Sequence, residues 1–226
     1  MRAKEDRDAG ALDAAFVRRW LEEAARAIRE QRDYLTQLDA AIGDADHGIN
    51  MDRGFATALE KLEGVEPGSA SDLLEVVGTT LILSVGGAAG PLYGSSLRHM
   101  GAALVNRAAF GGEDLLVALR AGLEEIQRLG AATEGDKTIV DALTPAIAAF
   151  ERGLRAGRPF PEVAAHAREA AEEGMRATVP MQARKGRASY LGPRSVGHQD
   201  PGATSTAILF LALERAAAGD GREPEP

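Results

Sequence analysis

Three aspartates lie close together in the segment LDAAIGDADHGINMDRGF, residues 38–55. On one continuous helix, at about 100° per residue, Asp39 and Asp44 would be about 140° apart and Asp44 and Asp46 about 200° apart, so they would diverge. They can converge if the helix ends near Gly43, because glycine is a common helix terminator. Converged carboxylates suit a hard cation such as Mg²⁺ or Ca²⁺. The segment therefore predicts a metal site.

Two other interpretations of these acids compete with that prediction. In an EF-hand loop that starts at Asp44, the required glycine at position 6 would be Ile49 and the required glutamate at position 12 would be Phe55, which excludes the motif. In the second interpretation, Asp46 caps the following helix and Asp44 forms a turn, with no metal bound. That interpretation stays open, although three acids around one turn favour a cation.

Three segments have features that could bind an anion. Residues 47–50 open a helix, and the free N–H groups and positive dipole end of a helix favour anions. SVGGAAG (84–90) could bring backbone close to a ligand, as phosphate loops do, or form a plain turn between helices. QARKGR (182–187) offers three positive charges for phosphate, or forms a solvated basic turn. Magnesium held by few carboxylates usually shares its coordination with phosphates, so we expect a phosphate-bearing ligand.

A fourth segment, LGAATEGDKT (129–138), resembles the P-loop of nucleotide-binding proteins. It departs from that pattern because Asp136 is inserted between Gly135 and Lys137. A P-loop also follows a strand, whereas the residues before this segment have helical periodicity. We therefore expect no Walker A motif here. Asp136 is expected to be the N-cap of a helix that starts at Lys137.

The composition favours a globular protein of the cytoplasm. The chain has 226 residues, of which 45% are apolar, enough for a substantial core. Its formal net charge of -8 argues against a nucleic-acid surface. Cysteine is absent, which excludes disulfides and zinc–thiolate sites. Neither a signal peptide nor an apolar run of membrane-spanning length is recognised.

Apolar residues recur at helical spacing along most of the chain, which predicts an all-α fold of eight helices. We expect one domain, residues 11–217, with flexible tails at 1–10 and 218–226. The stretch 180–204 has no helical pattern, and loops of that length are usually functional or disordered. The third helix ends in TTLILSV, which could also be a buried strand. The helices are expected at about residues 16–42, 48–62, 71–84, 93–108, 113–130, 137–153, 161–177 and 203–217.

Four segments together resemble the L subunit of dihydroxyacetone kinase (the DhaL family). They are LDAAIGDADHGINMDRGF, SVGGAAGPLYG, GDKTIVDAL and MQARKGRASYLGPRSVGHQDPGATS, and they occur in the order found in that family. The resemblance covers about residues 16–216. It implies an eight-helix antiparallel barrel that binds a nucleotide, ADP or ATP, and two Mg²⁺ ions at one end.

The resemblance also implies a set of site residues. Asp39, Asp44 and Asp46 match the magnesium ligands of the family, and Arg187 matches a basic contact, which makes it the candidate catalytic residue. At position 89 this chain has Ala where the family often has Ser, so any hydroxyl contact there is lost. The positions that match nucleotide contacts are His47, Gly48, Ile49, Asn50, Ala88, Ala89, Gly130, Ile139, Arg187, Asp200, Pro201 and Gly202.

The resemblance implies a reaction as well. In the phosphotransferase-dependent branch, ADP stays bound, a phosphohistidine on an M subunit rephosphorylates it, and the γ-phosphoryl group passes to dihydroxyacetone on a K subunit. A free-standing chain is typical of that branch. Two alternatives are an L subunit of an ATP-dependent kinase for another small keto-sugar and a regulatory adaptor that contacts a transcription activator. We also expect a homodimer, and neither nucleic-acid nor membrane partners.

Overall fold

The computed structural model describes residues 11–63 and 68–219. The tail expected at 1–10 lies outside the described residues, as do residues 220–226 of the tail expected at 218–226. The last helix continues to Ala218. The helices in the described ranges are α1 Ala14–Glu30, α2 Arg32–Ile42, α3 His47–Glu63, α4 Ala70–Ser84, α5 Ala89–Ala103, α6 Gly112–Gly130, α7 Ile139–Arg155, α8 Phe160–Ala177 and α9 Pro201–Ala218.

Eight of these helices form a closed ring. Helix α1 packs against α3, each helix from α3 to α9 packs against the next, and α9 packs against α1. Most connections are short, so consecutive helices run antiparallel. Helix α2 continues beyond the end of α1 and packs on α3 and α9. The expected all-α, eight-helix antiparallel barrel is confirmed.

The ring is held together by the apolar faces of its helices, which meet in one buried cluster. Phe55 and Phe150 are among its largest fully buried side chains. Trp20 is also buried, and its indole Nε1 donates a hydrogen bond to the Leu209 carbonyl oxygen, 3.0 Å away, which joins the first and last helices of the ring. The chain therefore closes the barrel by pairing its two ends.

The first expected helix, 16–42, is wrong in one respect because it is interrupted. Gln31 has φ -103° and ψ 8°, which separates α1 from α2. Residues 29–34 are all exposed, so no core contact keeps the two parts in line. The break lets α2 leave the wall of the barrel, and α2 carries Asp39. The TTLILSV segment is helical, as part of α4, and does not form a strand.

Two further elements were not expected from the sequence. Leu12–Asp13 (β1) and Ala109–Phe110 (β2) form a short antiparallel pair in which Leu12 lies opposite Phe110.

Helix α5 begins and ends earlier than the expected 93–108. None of the helices in the described ranges is both long and apolar enough to cross a membrane.

The alternation of helix direction brings four connections to one end of the barrel. They are residues 43–46, 85–88 and 131–138, and the segment 178–200, which we call the strap. The strap was expected to lack structure, but it contains a 3-10 helix, Arg187–Ser195. These four connections, which come from distant parts of the sequence, surround one cleft.

Candidate functional site

The three aspartates converge at this end of the barrel. Asp39 lies in the last turn of α2, which ends at Ile42 with Gly43 as its C-cap, as expected. Asp44 and Asp46 follow in the loop before α3, and the backbone passes through the left-handed region at Ala45, with φ 62°. One ligand atom from each carboxylate lies within 4.8 Å of the others. Opposite ligands of an octahedral Mg²⁺ are about 4.2 Å apart, so this donor set fits a divalent cation.

The position of Asp39 depends on Gly43. A Cβ atom at residue 43 would lie 1.9 Å from Asp39 Oδ1, so a side chain there would displace the carboxylate. The other oxygen, Oδ2, accepts hydrogen bonds from the backbone N–H groups of Asp46 (2.9 Å) and His47 (3.2 Å). Asp39 is buried, and these contacts fix its carboxylate in place.

These two hydrogen bonds correct part of the expected anion site. The opening turn of α3 was expected to offer free N–H groups, but the first of them donate to Asp39. Gly48 is buried against α2, where an added Cβ would lie 2.0 Å from the Arg32 carbonyl oxygen. Ile49 is half-exposed, and Asn50 is buried and accepts a 2.7 Å hydrogen bond from Arg53. Gly48, Ile49 and Asn50 do not line the cleft.

The start of α5 is the better anion site. Its N-cap, Ala88, makes no side-chain cap hydrogen bond, so the first N–H groups of this helix keep their donor capacity. The preceding Gly87 has φ +65° and open space around its Cα. Gly86 lies against Asn50, whose Nδ2 would be 3.0 Å from an added Cβ. Asn50 thus packs against the glycine-rich loop at Gly86, while Ala88 and Ala89 line the cleft.

His47 joins the acid cluster to a buried polar network. It lines the cleft, and its Nε2 lies 3.0 Å from Ser205 Oγ. Ser205 Oγ lies 2.7 Å from the Tyr93 hydroxyl, which donates to the Gly202 carbonyl oxygen. Burial lowers the pKa of His47, although Asp39 and Asp46 partly offset that shift. Neutral His47 therefore adds no positive charge near the acids at pH 7.

The strap brings positive charge to the acids. Arg187 is 60% exposed, and its Nη2 lies 2.9 Å from Asp44 Oδ2. Lys185 and Tyr190, from the same strap, also line the cleft. Arg184, which the sequence placed in the same basic group, points to a different partner and lies 4.0 Å from Asp136. Of the three basic residues, Lys185 and Arg187 thus border the cleft.

The turn before α7 differs from the expectation in two ways. Thr138, and not Asp136, is the N-cap of α7, and Asp141 completes a capping box with it. Asp136 instead accepts a 2.9 Å hydrogen bond from Thr133 N–H, which closes the preceding turn. Lys137 is buried, and its ammonium group donates to backbone carbonyl oxygens of the strap. The segment is not a P-loop, as expected, but Lys137 has a structural role that its sequence pattern does not reveal.

Part of the lining of the cleft is apolar, and we call this part the apolar wall. Gly130 and Ile139, which were expected to contact the nucleotide, belong to it. Leu92 and Ile126 extend the wall, and they were missed because each also fits the apolar face of its own helix. The remaining lining residues that sequence reasoning did not single out are Ile42, Ala132, Lys137, Thr138, Val140, Gly186, Ala188 and Tyr190.

The start of α9 closes the cleft. Asp200 is the N-cap of this helix, and its Oδ2 accepts a 2.6 Å hydrogen bond from Ala203 N–H. Burial, with a smaller contribution from Asp141, raises the pKa of Asp200 to about 7. Pro201 and Gly202 follow as expected and also line the cleft. An ionisable carboxyl poised near neutral pH therefore lies at the edge of the site.

The cleft has a volume of about 590 Å³ and combines three chemically distinct parts. The acid cluster suits a divalent cation, the uncapped start of α5 and Arg187 suit an anion, and the apolar wall suits a flat ring. None of the three expected anion-binding segments accounts for the site alone. Together the three parts match a metal-bound nucleoside phosphate.

Comparison with known proteins is consistent with that chemistry. The model of the DAK2 domain family matches residues 41–215. The chain is 39% identical over 206 residues to the PEP-dependent dihydroxyacetone kinase, ADP-binding subunit DhaL, of Escherichia coli (strain K12), covering 91% of this chain and 98% of that protein. It is 40% identical over 194 residues to the PTS-dependent dihydroxyacetone kinase, ADP-binding subunit DhaL, of Lactococcus lactis subsp. lactis (strain IL1403), covering 86% and 93%.

A solved structure shares the fold. The crystal structure of the dihydroxyacetone kinase from C. freundii in complex with AMP-PNP and Mg²⁺ superposes with a TM-score of 0.69 at 25% sequence identity. The match covers 89% of this chain and 33% of that one, so this chain corresponds to about a third of that protein.

Proposed function

The chain belongs to the DAK2 domain family, and we propose that it is the ADP-binding subunit of a dihydroxyacetone kinase. In this role it takes a phosphoryl group from a phosphohistidine-bearing subunit onto bound ADP and passes it to dihydroxyacetone on a K subunit. Relatives that are 38–40% identical and almost fully covered are named as PEP- or PTS-dependent ADP-binding subunits, which supports this role over an ATP-dependent kinase or an adaptor.

The observation that carries the proposal is the juxtaposition of the acid cluster with Arg187. A cluster of carboxylates next to an arginine, at a helix start without a side-chain cap, is what a metal-bound polyphosphate requires. The adaptor role would need none of these groups.

Asp39, Asp44 and Asp46 would hold magnesium in this proposal. Three carboxylates and a diphosphate carry a charge of roughly -6, so one Mg²⁺ leaves about -4 and two leave about -2. The net charge of about -2 that remains with two ions can be offset by Arg187 and the start of α5. We therefore propose two ions. Bound magnesium supplies neutralisation of the charge on the transferring phosphoryl group.

The protein groups around the ion sites have separate tasks. Arg187 would neutralise negative charge on the phosphoryl group as it transfers, which makes it the catalytic residue of the proposal. The backbone at Ala88 and Ala89 would bind phosphate oxygens, and His47 would orient the loop that carries Asp46. Gly130 and Ile139, with Leu92 and Ile126, would hold the base. Asp200, Pro201 and Gly202 would border the bound nucleotide.

Reconstitution tests the proposed function. The purified chain, given ATP and dihydroxyacetone alone, is expected to form no product, whereas addition of a K subunit and a phosphorylated donor subunit should give dihydroxyacetone phosphate. Mass spectrometry after acid release should detect ADP that co-purified with the chain. Robust product from the chain alone would contradict the proposal, as would failure of the complete mixture. The homodimer and the contact with a transcription activator stay predictions. A measurement of the molecular mass in solution tests the homodimer.

A further inference from the structure

Lys137 is a buried cation whose hydrogen-bond acceptors, within the described residues, are backbone oxygens. It is 1% exposed. Its Nζ donates to the carbonyl oxygens of Thr178 (2.9 Å), Met181 (3.1 Å) and Ser195 (2.8 Å), and to that of His198. An ammonium group has three N–H bonds, so these four carbonyls use all its donor capacity. Lys137 therefore cannot donate to a phosphate in the cleft without giving up strap contacts.

The four carbonyls belong to opposite ends of the strap. Thr178 and Met181 follow the end of α8, whereas Ser195 and His198 precede the start of α9. The ammonium group thus joins the two ends at one point. Hydrogen bonds between the same ends support this closure, since Gly197 N–H donates to the Val179 carbonyl oxygen at 2.8 Å.

Two more polar side chains complete the base of the strap. Ser195 is fully buried, and its Oγ accepts a 2.9 Å hydrogen bond from Ala183 N–H. Thr178 is also fully buried, and its Oγ1 accepts from Asp200 N–H at 3.0 Å. Without the ammonium group, the carbonyl oxygens of Met181, Ser195 and His198 would lose the donor that they share, whereas that of Thr178 would keep its 3.1 Å hydrogen bond from Met181 N–H. The base of the strap therefore depends on Lys137.

The backbone at Lys137 supports the importance of its side chain. Its φ of 62° lies in the left-handed region, which glycine adopts more readily than lysine. The strain is compensated by the four hydrogen bonds that the side chain makes from this position. The neighbouring residue, Asp136, also contacts the strap, because its carbonyl oxygen accepts a 3.1 Å hydrogen bond from Arg184 N–H.

We infer that Lys137 is a positioning residue that anchors the strap and thereby holds Arg187 beside Asp44. The inference rests on the proposed function for the role of Arg187. The base of the strap is cross-linked by hydrogen bonds around the buried Thr178 and Ser195, whereas Arg187, nearer the tip, is exposed and pairs with Asp44. The 3-10 helix of the strap also contacts α2, and the anchored base fixes where the strap leaves and rejoins the barrel.

The experiment compares the wild type with Lys137→Met, whose side chain has similar length but no charge or donor. Hydrogen–deuterium exchange of the ligand-free proteins should be about tenfold or more faster in residues 178–200 of the variant, while α1 and α6 stay protected. Lys61→Met, at an exposed lysine on α3, is the control and should leave the strap unchanged. Unchanged exchange in the strap of Lys137→Met would overturn the inference.

A double-mutant cycle tests whether Lys137 acts through Arg187. Lys137→Met should slow phosphoryl transfer in the wild-type background but cause little further loss in Arg187→Ala. Losses that multiply would overturn the inference. If α1 and α6 also lose protection in Lys137→Met, both experiments are repeated with Lys137→Gln, which keeps two amide donors. The same loss of protection in α1 and α6 of Lys137→Gln would also overturn the inference. A wild type without transfer activity would refute the proposed function, while the exchange comparison would still decide whether Lys137 anchors the strap.

Discussion

Arg187 and Asp44 form an ion pair, with Nη2 and Oδ2 2.9 Å apart, across 143 positions of sequence. Asp44 belongs to the acid cluster and Arg187 to the strap, so this pair is where the two halves of the site meet. The guanidinium group supplies part of the positive charge that three converged carboxylates require. Its side chain is 60% exposed, which leaves it free to turn toward a bound phosphate.

Arg187→Ala is expected to slow phosphoryl transfer much more than it lowers stability. Exposed ion pairs contribute less than about 1 kcal/mol, so the free energy of unfolding should change little. Loss of a charged group at a transferring phosphoryl should reduce the rate by about tenfold or more. The measurements are thermal melts and transfer rates, with Arg194→Ala as an exposed control on the same strap. A large drop in melting temperature with normal transfer would refute the assigned role.

Gly43→Ala is expected to weaken binding of the magnesium–nucleotide complex. The added Cβ would lie 1.9 Å from Asp39 Oδ1, so the carboxylate would have to move away from the other two acids. Misplaced metal ligands commonly cost about tenfold to a hundredfold in affinity. Calorimetric titration with Mg-ADP measures the effect, and Gly111→Ala, where an added Cβ meets open space, is the control. Equal affinities in wild type and Gly43→Ala would show that Asp39 does not need its observed position.

Asp200→Asn is expected to remove a loss of stability that the wild type shows as pH rises. Burial raises the pKa of Asp200 to about 7, so between about pH 4 and pH 7 the folded state keeps a proton that the unfolded state has released. This contribution to stability is complete below the unfolded pKa and is lost as pH rises through about 7, on the order of 1 kcal/mol per pH unit.

The test of Asp200 is urea unfolding of the ligand-free proteins at pH 5.5, 6.5 and 7.5. The asparagine retains a side-chain oxygen that can accept from Ala203 N–H, so the cap of α9 is preserved. The stability of the wild type relative to Asp200→Asn should fall across this range. Parallel pH dependences would mean that Asp200 titrates at its ordinary value in the folded state.

The sequence revealed the acid cluster because its signal is local. The rotation of an α-helix forces Asp39 away from Asp44 unless the chain leaves the helix at Gly43, and it does leave there. Most helix positions could also be predicted, because apolar residues recur at helical spacing in each of the eight expected helices. The break at Gln31 was not, because it results from the absence of core contacts along the exposed residues 29–34.

The role of Lys137 could not be predicted, because its partners are backbone carbonyls 41 to 61 residues away and carry no side-chain signature. The segment around it resembles a P-loop, and after that motif was rejected Lys137 was expected only to begin a helix. The hydrogen bonds of Asp39 with the start of α3 were hidden for a similar reason, since backbone donors leave no trace in the sequence. Local spacing thus predicted the convergence of the three carboxylates, whereas long-range backbone contacts determine how they are held.

The central claim is that Asp39, Asp44 and Asp46 bind the metal of a magnesium–nucleotide complex. Thermal melts of wild type and Asp44→Asn, each with and without Mg-ADP, test it most directly. Ligand-free, the two proteins should be similar in stability, because the substitution relieves repulsion among the acids but also removes the pair with Arg187. A ligand at a thousandfold excess over its Kd stabilises the native state by about 4 kcal/mol, so Mg-ADP should raise the melting temperature of the wild type clearly and that of Asp44→Asn much less. Equal shifts in the two proteins would show that these carboxylates are not metal ligands, and would contradict the account.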